Sequence, residues 1–371
     1  MRAGLALTLG LALTLSACQR AQPEWSTEQR VTIAALSLSR LPPPPPDPSN
    51  RYADDPRAAA FGARLFADPR LSRNGRVACT HCHQPERAFT DGLSRARGLG
   101  ASRRNTPTLL GVAWSPWLFW DGRADSLWAQ ALGPLSHPAE QGLSEAELKR
   151  AITQYHRRDY EALFGAPDAQ PARQVSVNVG KAIAAYERTL KPAPTRFDVY
   201  ADAVAAGNEK AAAYLDEAER RGLRLFIGRG QCLRCHHGPL LTNHAFHNIG
   251  LPPLPGLPPD RGRADGLRAV LASGLNCRSR YSDDPDRVCP QLTFSRPGAA
   301  EWVGAFKTPS LRGVKRTAPY MHDGRFVTLG EVLDHYNRAL DPGPLLGHSE
   351  LFPLGLTPDE MNDLRAFLET L

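Results

Sequence analysis

Three features are missing from this sequence of 371 residues, and each absence excludes a class of protein. Beyond the N-terminus no apolar run reaches the roughly 20 residues that a membrane-spanning helix needs. No run of lysine or arginine indicates nucleic-acid binding, although the formal net charge is +7. No segment alternates between apolar and polar residues as a half-buried strand does. We therefore expect a mainly α protein with no membrane span in its mature part and no nucleic-acid partner.

The apolar stretch at the N-terminus is short and follows Arg2, which is typical of a signal sequence. It ends in Leu15-Ser16-Ala17-Cys18, which resembles the bacterial lipoprotein processing site. We expect residues 1–18 to act as a lipoprotein signal peptide, cleaved before Cys18. An acyl group on Cys18 would then hold the mature protein to a membrane surface in the periplasm. The alternative is an ordinary signal peptide in which Cys18 is incidental.

Residues 19–50 are rich in proline, with five consecutive prolines from position 42 to position 46. Such a segment is extended and stiff. We interpret residues 19–50 as a tether that holds the folded part away from the membrane.

Helix start signals recur along the rest of the chain. Ser144 and Thr328 are each followed three residues later by glutamate, the capping-box pattern, and Thr357 precedes a proline at a first helical position. We predict helices over residues 58–66, 144–155, 177–190, 211–226 and 328–336, and from residue 357 onwards. Long connections separate these segments, so we expect a fold whose loops wrap cofactors.

Two copies of the motif C-x-x-C-H carry the clearest chemistry: Cys79-Thr80-His81-Cys82-His83 and Cys232-Leu233-Arg234-Cys235-His236. This spacing attaches a c-type haem, because both thiols join the porphyrin and the adjacent histidine ligates the iron. The rival interpretation is a zinc site built from the two cysteine pairs, but the histidine after each pair and the export signal argue against it. The sequence therefore predicts two covalent c-type haems.

The two halves each repeat a helix, the cysteine motif and a loop. We predict two cytochrome c-like haem domains, over residues 51–205 and 206–371, with long loops packed around an inter-haem interface.

Cys277 and Cys289 lie outside the motifs, and in an oxidising compartment we expect them to form a disulfide.

Further motifs, taken together, resemble those of the bacterial diheme cytochrome c peroxidase and MauG family, over roughly residues 55–371. They are Phe119-Trp120-Asp121-Gly122-Arg123-Ala124, Gln130, Gly133-Pro134, His137-Pro138-Ala139-Glu140, Phe306-Lys307-Thr308-Pro309-Ser310-Leu311-Arg312 and Thr317-Ala318-Pro319-Tyr320-Met321-His322-Asp323-Gly324.

The resemblance implies roles for individual residues. The haem ligated by His83 would be the peroxide site, with Glu140 as the acid–base group and Gln130 and Pro134 lining the distal pocket. Trp120 would lie between the haems and pass electrons.

The resemblance also implies a calcium ion between the haems. Its protein ligands would be the side chain of Asn105 and the backbone carbonyls of Thr317 and Pro319, an oxygen-only set of the kind calcium prefers.

Two departures from the peroxidases of the family point to its MauG-like members. Residues 84–104 contain neither histidine nor methionine, so no loop ligand blocks the first haem. At the distal position of the second haem, where many members have methionine, the spacing places Tyr336. A phenolate there favours ferric iron. Met321 or His322 is the alternative ligand.

The sequence thus predicts a haem peroxidase that reduces hydrogen peroxide with electrons from a small periplasmic cytochrome or cupredoxin. One alternative is a MauG-like enzyme that oxidises residues of a partner protein. However, residues 227–231, before the second motif, lack the tryptophan that MauG uses on its protein substrate. The other alternative is a non-enzymatic diheme electron-transfer cytochrome.

Overall fold

The computed structural model describes residues 24–371 except 209, 210 and 212, and this part of the chain is mainly helical, as predicted. The helices up to residue 205 are α1 (Thr27–Ala35), α2 (Pro56–Phe66), α3 (Cys79–Cys82), α4 (Leu127–Ser136), α5 (Glu145–Tyr155), α6 (Arg157–Phe164), α7 (Ala172–Glu187) and α8 (Arg196–Ala205). Those that follow are α9 (Glu217–Ile227), α10 (Arg263–Ala272), α11 (Pro290–Thr293), α12 (Leu329–Arg338) and α13 (Pro358–Leu368). Two short antiparallel strands pair with each other, β1 (Phe246–His247) and β2 (Phe306–Lys307). The predicted signal peptide, including Cys18, lies outside the described residues.

The predicted helix starts at Ser144, Thr328 and Thr357 are confirmed, because each of these side chains caps its helix in a complete capping box. Two predicted starts are wrong. Helix α7 begins at Ala172, five residues earlier than predicted, and α9 begins at Glu217 rather than at 211. Asp216 sets the second of these starts by accepting a hydrogen bond from the backbone of Glu219 at 2.8 Å.

In each half, the helix before the cysteine motif packs on a later helix through a glycine. A Cβ on Gly62 of α2 would lie 1.9 Å from the backbone oxygen of Ala182 in α7. A Cβ on Gly222 of α9 would lie 2.0 Å from the backbone oxygen of Asp363 in α13. Both helix pairs therefore touch backbone to backbone, which only glycine permits. The same backbone contact in both halves fixes the position of the helix that precedes each C-x-x-C-H motif.

The buried apolar residues form two large clusters, one in each half. The first draws on residues from Phe61 to Leu190, and α7 runs through its centre with most of its side chains buried. The second draws on residues from Phe197 onwards and on three residues near the N-terminus, Trp25, Ile33 and Leu36. Helix α8 therefore packs with the C-terminal cluster, although it precedes the boundary predicted near residue 205. The division into two haem domains at that residue stays a prediction.

The prediction that residues 19–50 form a free tether is wrong for the part that the structure describes. Trp25, Ile33 and Leu36 are buried in the C-terminal cluster, and the Trp25 indole donates a hydrogen bond to the Tyr200 hydroxyl at 2.6 Å. The segment is a short helix followed by an extended strap, and burial of its apolar side chains holds the helix against the C-terminal cluster.

The proline-rich strap lies on the N-terminal half of the protein. The Trp114 indole donates a hydrogen bond to the backbone oxygen of Pro42 at 3.0 Å, and Arg188 donates one to that of Pro45 at 3.1 Å. Because α1 packs on the C-terminal cluster, the strap connects the two halves.

The predicted disulfide between Cys277 and Cys289 is confirmed. Cys289 belongs to a third, smaller apolar cluster with Leu267 and Val270 of α10 and with Trp117. The disulfide thus holds the long connection after residue 249 against the segment that leads to Trp120. Among the described residues, none of the helices is both long enough and apolar enough to span a bilayer.

Candidate functional site

Both cysteine motifs fold as one tight turn. In the first, the backbone N–H of His83 donates to the carbonyl of Cys79 at 2.9 Å, and in the second that of His236 donates to Cys232 at 2.8 Å. All four motif cysteines are free thiols and half-buried. The turn brings the two thiols and the imidazole of each motif together, as attachment of a c-type haem requires.

The two motif histidines are each oriented by a hydrogen bond between Nδ1 and a backbone carbonyl. Nδ1 of His83 lies 3.0 Å from the carbonyl oxygen of Phe89, and Nδ1 of His236 lies 2.9 Å from that of Leu241. With Nδ1–H as the donor, Nε2 keeps its lone pair for a metal. Burial lowers the pKa of both histidines, that of His236 to about 4, which favours the neutral form that ligates iron.

A mainly apolar cavity of about 370 Å³ lies beside the second motif. Its lining includes the thiols of that motif with His236, and it also includes Trp120 and Tyr336. Free thiols, an available imidazole nitrogen and apolar walls fit a covalently bound haem. The rival zinc site is not supported, because no three histidine, cysteine or acidic side chains come together as a metal site among the described residues.

The three candidate distal ligands of the second haem all line this cavity, but their surroundings differ. Burial and the neighbouring thiols of Cys232 and Cys235 raise the pKa of Tyr336 above its usual range. Tyr336 is therefore close enough to both cysteines to interact with them electrostatically. The His322 ring instead stacks on Phe306, with ring centroids 3.6 Å apart.

Trp120 lies at the junction of the two halves. Its indole N–H donates to the carbonyl of Asn105 at 2.9 Å, and its own carbonyl accepts from the backbone N–H of Lys307 at 2.8 Å. The second half repeats the arrangement, because the backbone N–H of Asn105 donates to the carbonyl of His322 at 2.8 Å. Trp120 and His322 each precede an Asp-Gly-Arg sequence. The junction is therefore built from two copies of one motif that exchange backbone hydrogen bonds.

Several charged residues that hold this junction were not predicted from the sequence. The Arg104 guanidinium lies 2.6 Å from the carboxylate of Asp121 and 2.8 Å from that of Asp260. Arg263 is buried, donates to the carbonyl of Gly122 at 2.8 Å and lies over the Trp117 ring. The repeated Asp-Gly-Arg sequence is the signal that would have pointed to this network.

Glu140 lies close to the first motif. Its charge acts on the pKa of both Cys79 and Cys82, and its carboxylate lies 3.7 Å from Nδ1 of His137. Burial raises the pKa of Glu140, while His137 and Arg123 oppose that shift. The structure thus brings a partly buried acid to the thiols of the first haem site.

The loop after the first motif holds the backbone of Glu140. The N–H of Leu99 donates to the carbonyl of Glu140 at 3.0 Å. A Cβ on Gly98 would lie 2.8 Å from the Cα of Glu140. The loop that lacks histidine and methionine therefore packs directly against this acid.

Gln130 and Pro134 lie one turn apart on α4, so they share a face of that helix. The backbone N–H of Gln141 donates to the carbonyl of Pro134 at 3.0 Å, which brings the segment after α4 back to the end of the helix. Glu140 therefore lies in a tight turn that folds back on the C-terminal end of α4. No hydrogen bond joins the Gln130 side chain to the first motif among the described residues.

Asn105, Thr317 and Pro319 all line the cavity beside the second motif. The Asn105 amide donates to the carbonyl of Leu93 at 2.8 Å, which leaves its Oδ1 as an acceptor. The structure thus brings the three candidate calcium ligands to one cavity.

Glu187 is a second buried acid near the first motif that was not predicted. It is 4% exposed, and its Oε2 has no hydrogen-bond partner. Burial raises its pKa to about 8, and its charge acts on the pKa of Cys79. Nothing in the sequence marked it, because it is a single acid within a predicted helical segment.

Residues 56–206 match the family model of the di-haem cytochrome c peroxidases. The chain is 34% identical to the methylamine utilization protein MauG of Methylorubrum extorquens, over 98% of this chain and 91% of that protein. It is 36% identical to the cytochrome-c peroxidase IdrP1 of Denitromonas iodatirespirans, over 90% and 86% of the two chains. The solved diheme peroxidase BthA of Burkholderia thailandensis is 28% identical and superimposes with a TM-score of 0.68, over 86% and 87%. The chain therefore belongs to the di-haem cytochrome c peroxidase and MauG family, whose members are haem-dependent oxidoreductases.

Proposed function

We propose that this protein reduces hydrogen peroxide at its N-terminal haem site, with electrons delivered through the C-terminal site. The observation that carries the proposal is a partly buried carboxyl group, Glu140, which is close enough to the first motif that its charge acts on the pKa of Cys79 and Cys82. Haem iron bound at His83 would supply the redox chemistry and the coordination position for peroxide.

Glu140 moves the proton in this scheme. As a carboxylate it would accept a proton from one oxygen of the peroxide, and as an acid it would return that proton to the other oxygen, which leaves as water. Two electrons from the donor and two further protons would then convert the remaining oxygen to a second water. A raised pKa suits both halves of this task, since the group must gain and lose a proton near neutral pH. His137, 3.7 Å from the carboxylate, and Arg123 keep its ionised form accessible.

Two residues of α4 complete the pocket. Gln130 offers an amide that can orient peroxide by hydrogen bonding, and Pro134 occupies the next turn of the same helix face. Pro134 has no N–H, so it presents an apolar surface that limits water beside Glu140.

Trp120 is the residue through which we expect electrons to pass between the two sites. It lines the C-terminal cavity, and hydrogen bonds fix both its backbone and its indole. Rigid aromatic rings at such a junction need little rearrangement when an electron passes. Tyr336 and His236 would be the two protein ligands of the C-terminal iron.

We also propose one calcium ion at the junction. The Oδ1 of Asn105 and the carbonyls of Thr317 and Pro319 would bind it. Its charge would partly neutralise the haem carboxylates.

The electron donor would be a small cytochrome or a cupredoxin in the periplasm. We infer that the mature protein is attached there to a membrane surface through an acyl group on Cys18. Mass spectrometry of the purified N-terminal peptide tests this directly. An unmodified residue, or a mature N-terminus that lies beyond Cys18, contradicts it.

The peroxide proposal is tested by stopped-flow spectroscopy of the purified di-haem protein with hydrogen peroxide and a reduced small cytochrome c. We expect a rapid change in the ferric haem spectrum and two donor molecules oxidised for each peroxide reduced to water. If peroxide neither changes the haem spectrum nor accelerates oxidation of the donor, the proposal is wrong.

A further inference from the structure

Lys307, in β2, lines the cavity beside the second motif. Within the described residues its ammonium group makes no hydrogen bond and no ion pair, and burial lowers its pKa to about 8. Lys307 is half-buried, and an ammonium group withdrawn into an apolar cavity is costly unless an anion pairs with it. The position therefore requires a negative group that the protein itself does not provide.

A second unpartnered group lies close to Lys307. Nδ1 of His244 is buried without a hydrogen-bond partner, and the charge of Lys307 acts on the pKa of His244. Burial lowers the pKa of His244 to about 4, so its ring is neutral and carries one N–H donor. The pairing of β1 with β2 and the bond from the N–H of Thr308 to the carbonyl of Ala245, at 2.8 Å, hold the two segments together. The cavity thus contains an ammonium and an imidazole that both lack a partner.

Lys307 lies at the junction with the first half, because its backbone N–H donates to the carbonyl of Trp120 at 2.8 Å. Within the described residues no hydrogen bond joins the side chain of Lys307 or His244 to the thiol of Cys232 or Cys235. In a c-type haem the two thioether bonds are at one edge of the ring, and the two propionates are at the opposite edge. An anion-binding pair at the junction, with no bond to either thiol, suits the propionate edge of the ring.

We propose that Lys307 and His244 bind the propionate carboxylates of the C-terminal haem. The ammonium supplies a full positive charge, and the imidazole supplies a directional N–H donor. Both groups fit a carboxylate better than any neutral ligand, since each would otherwise stay unpaired in an apolar cavity. This inference rests on the C-terminal haem of the proposed function but not on its peroxide chemistry.

The symmetry of the junction gives Lys307 a counterpart. Its backbone N–H donates to Trp120, just as the backbone N–H of Asn105 donates to His322, both at 2.8 Å. Lys307 therefore occupies in the second half the position that Asn105, a proposed calcium ligand, occupies in the first. The Lys307 ammonium would offset the negative charge of the propionates on one side of the junction, as the proposed calcium ion would on the other side.

The test is a spectroelectrochemical titration of the di-haem protein without peroxide. Removal of a positive charge beside a haem carboxylate favours the ferric form. We expect Lys307→Met and Lys307→Gln each to lower the reduction equilibrium constant of the C-terminal haem at least tenfold, which is 59 mV for one electron. Lys307→Arg, which keeps the charge, should change it less than threefold. His244→Phe should lower it by a smaller factor than Lys307→Met.

Lys315→Met is the matched control, because Lys315 is 61% exposed and pairs with Glu369. If the Lys307→Met protein has the same potential as this control, the proposal is overturned. It is also overturned if exchange of chloride for phosphate shifts the wild-type potential as much as Lys307→Met does, since a free anion would then occupy the site.

Haem attachment provides a second readout that separates binding from folding. Loss of only the C-terminal haem in the two charge-removing variants, with normal attachment in Lys307→Arg, would support the proposal. Loss of both haems in all three variants would show a purely structural role and overturn it. A protein without peroxidase activity can still pass this test, so the two proposals fail independently.

Discussion

Replacement of Glu140 by glutamine tests the proton transfer in the proposed reaction. The variant keeps the size of the side chain and removes only its ability to accept a proton. General acid–base groups contribute about 10²- to 10⁴-fold to rate, or about 3 to 5 kcal/mol of activation free energy. The Glu140 side chain is 29% exposed, so water can take over part of its task. We therefore expect kcat/KM for peroxide to fall by about 100- to 1,000-fold, in the lower part of that range.

The pH profile adds a signature that a misfolded variant would not give. Burial raises the pKa of Glu140 above its ordinary 4.5, and a base must be ionised to act. In the wild type, kcat/KM should fall as the pH drops through this raised pKa. Glu140→Gln should lose that inflection. Arg123→Leu should move it to higher pH, because Arg123 stabilises the carboxylate.

Glu145→Gln is the matched control, since Glu145 is 40% exposed and pairs with Arg173 at 2.8 Å on the surface. It should keep the wild-type rate and pH profile. A Glu140→Gln protein with both haems attached and a kcat/KM within threefold of this control would refute the assignment of Glu140.

Three further predictions test other parts of the account. Tyr336→Met should raise the potential of the C-terminal haem by a sizeable part of the roughly 0.8 V that axial ligands span, because it removes a phenolate. Tyr320→Phe, a cavity-lining control, should not, and equal potentials would refute ligation by Tyr336. In the folded protein the pKa of Glu187 is about 8, whereas in the unfolded chain it is about 4.5. The free energy of unfolding of the wild type should therefore fall by on the order of 4 kcal/mol between pH 5 and pH 8, because the unfolded chain releases this proton first. Denaturant titrations of Glu187→Gln should show a flatter pH dependence, and an unchanged slope would contradict this cause. Trp25→Ala should cost about 3 to 5 kcal/mol of stability by the same titration, because a buried indole is lost. A cost below about 1 kcal/mol would mean that residues 24–40 are loosely attached after all.

The attachment chemistry and much of the helical fold could be predicted because they depend on local patterns. A C-x-x-C-H turn needs five consecutive residues, and a capping box needs four. Both motifs and the capped helices at Ser144, Thr328 and Thr357 are therefore visible without any tertiary information. The disulfide was predictable by elimination, because Cys277 and Cys289 were the only cysteines without another role.

The errors have the opposite cause, since they depend on contacts between distant residues. Trp25 and Ile33 are buried by contacts with Tyr200 and its neighbours, which lie about 170 positions away in sequence. Because these contacts are not visible in the local sequence, the segment resembled a free linker. Lys307 was visible in a motif, but its lack of a partner is a property of the folded cavity. Glu187 gave no signal, because a single acid on a helix is normally solvated.

The central claim is that the iron bound at His83 has a free coordination position on the side of Glu140. Electron paramagnetic resonance of the ferric protein as isolated measures this directly. The account predicts one high-spin haem, whose iron has His83 as its single protein ligand, and one low-spin haem with two axial protein ligands. Two low-spin haems that stay low-spin after reduction and reoxidation would contradict it, because peroxide would have no iron to bind.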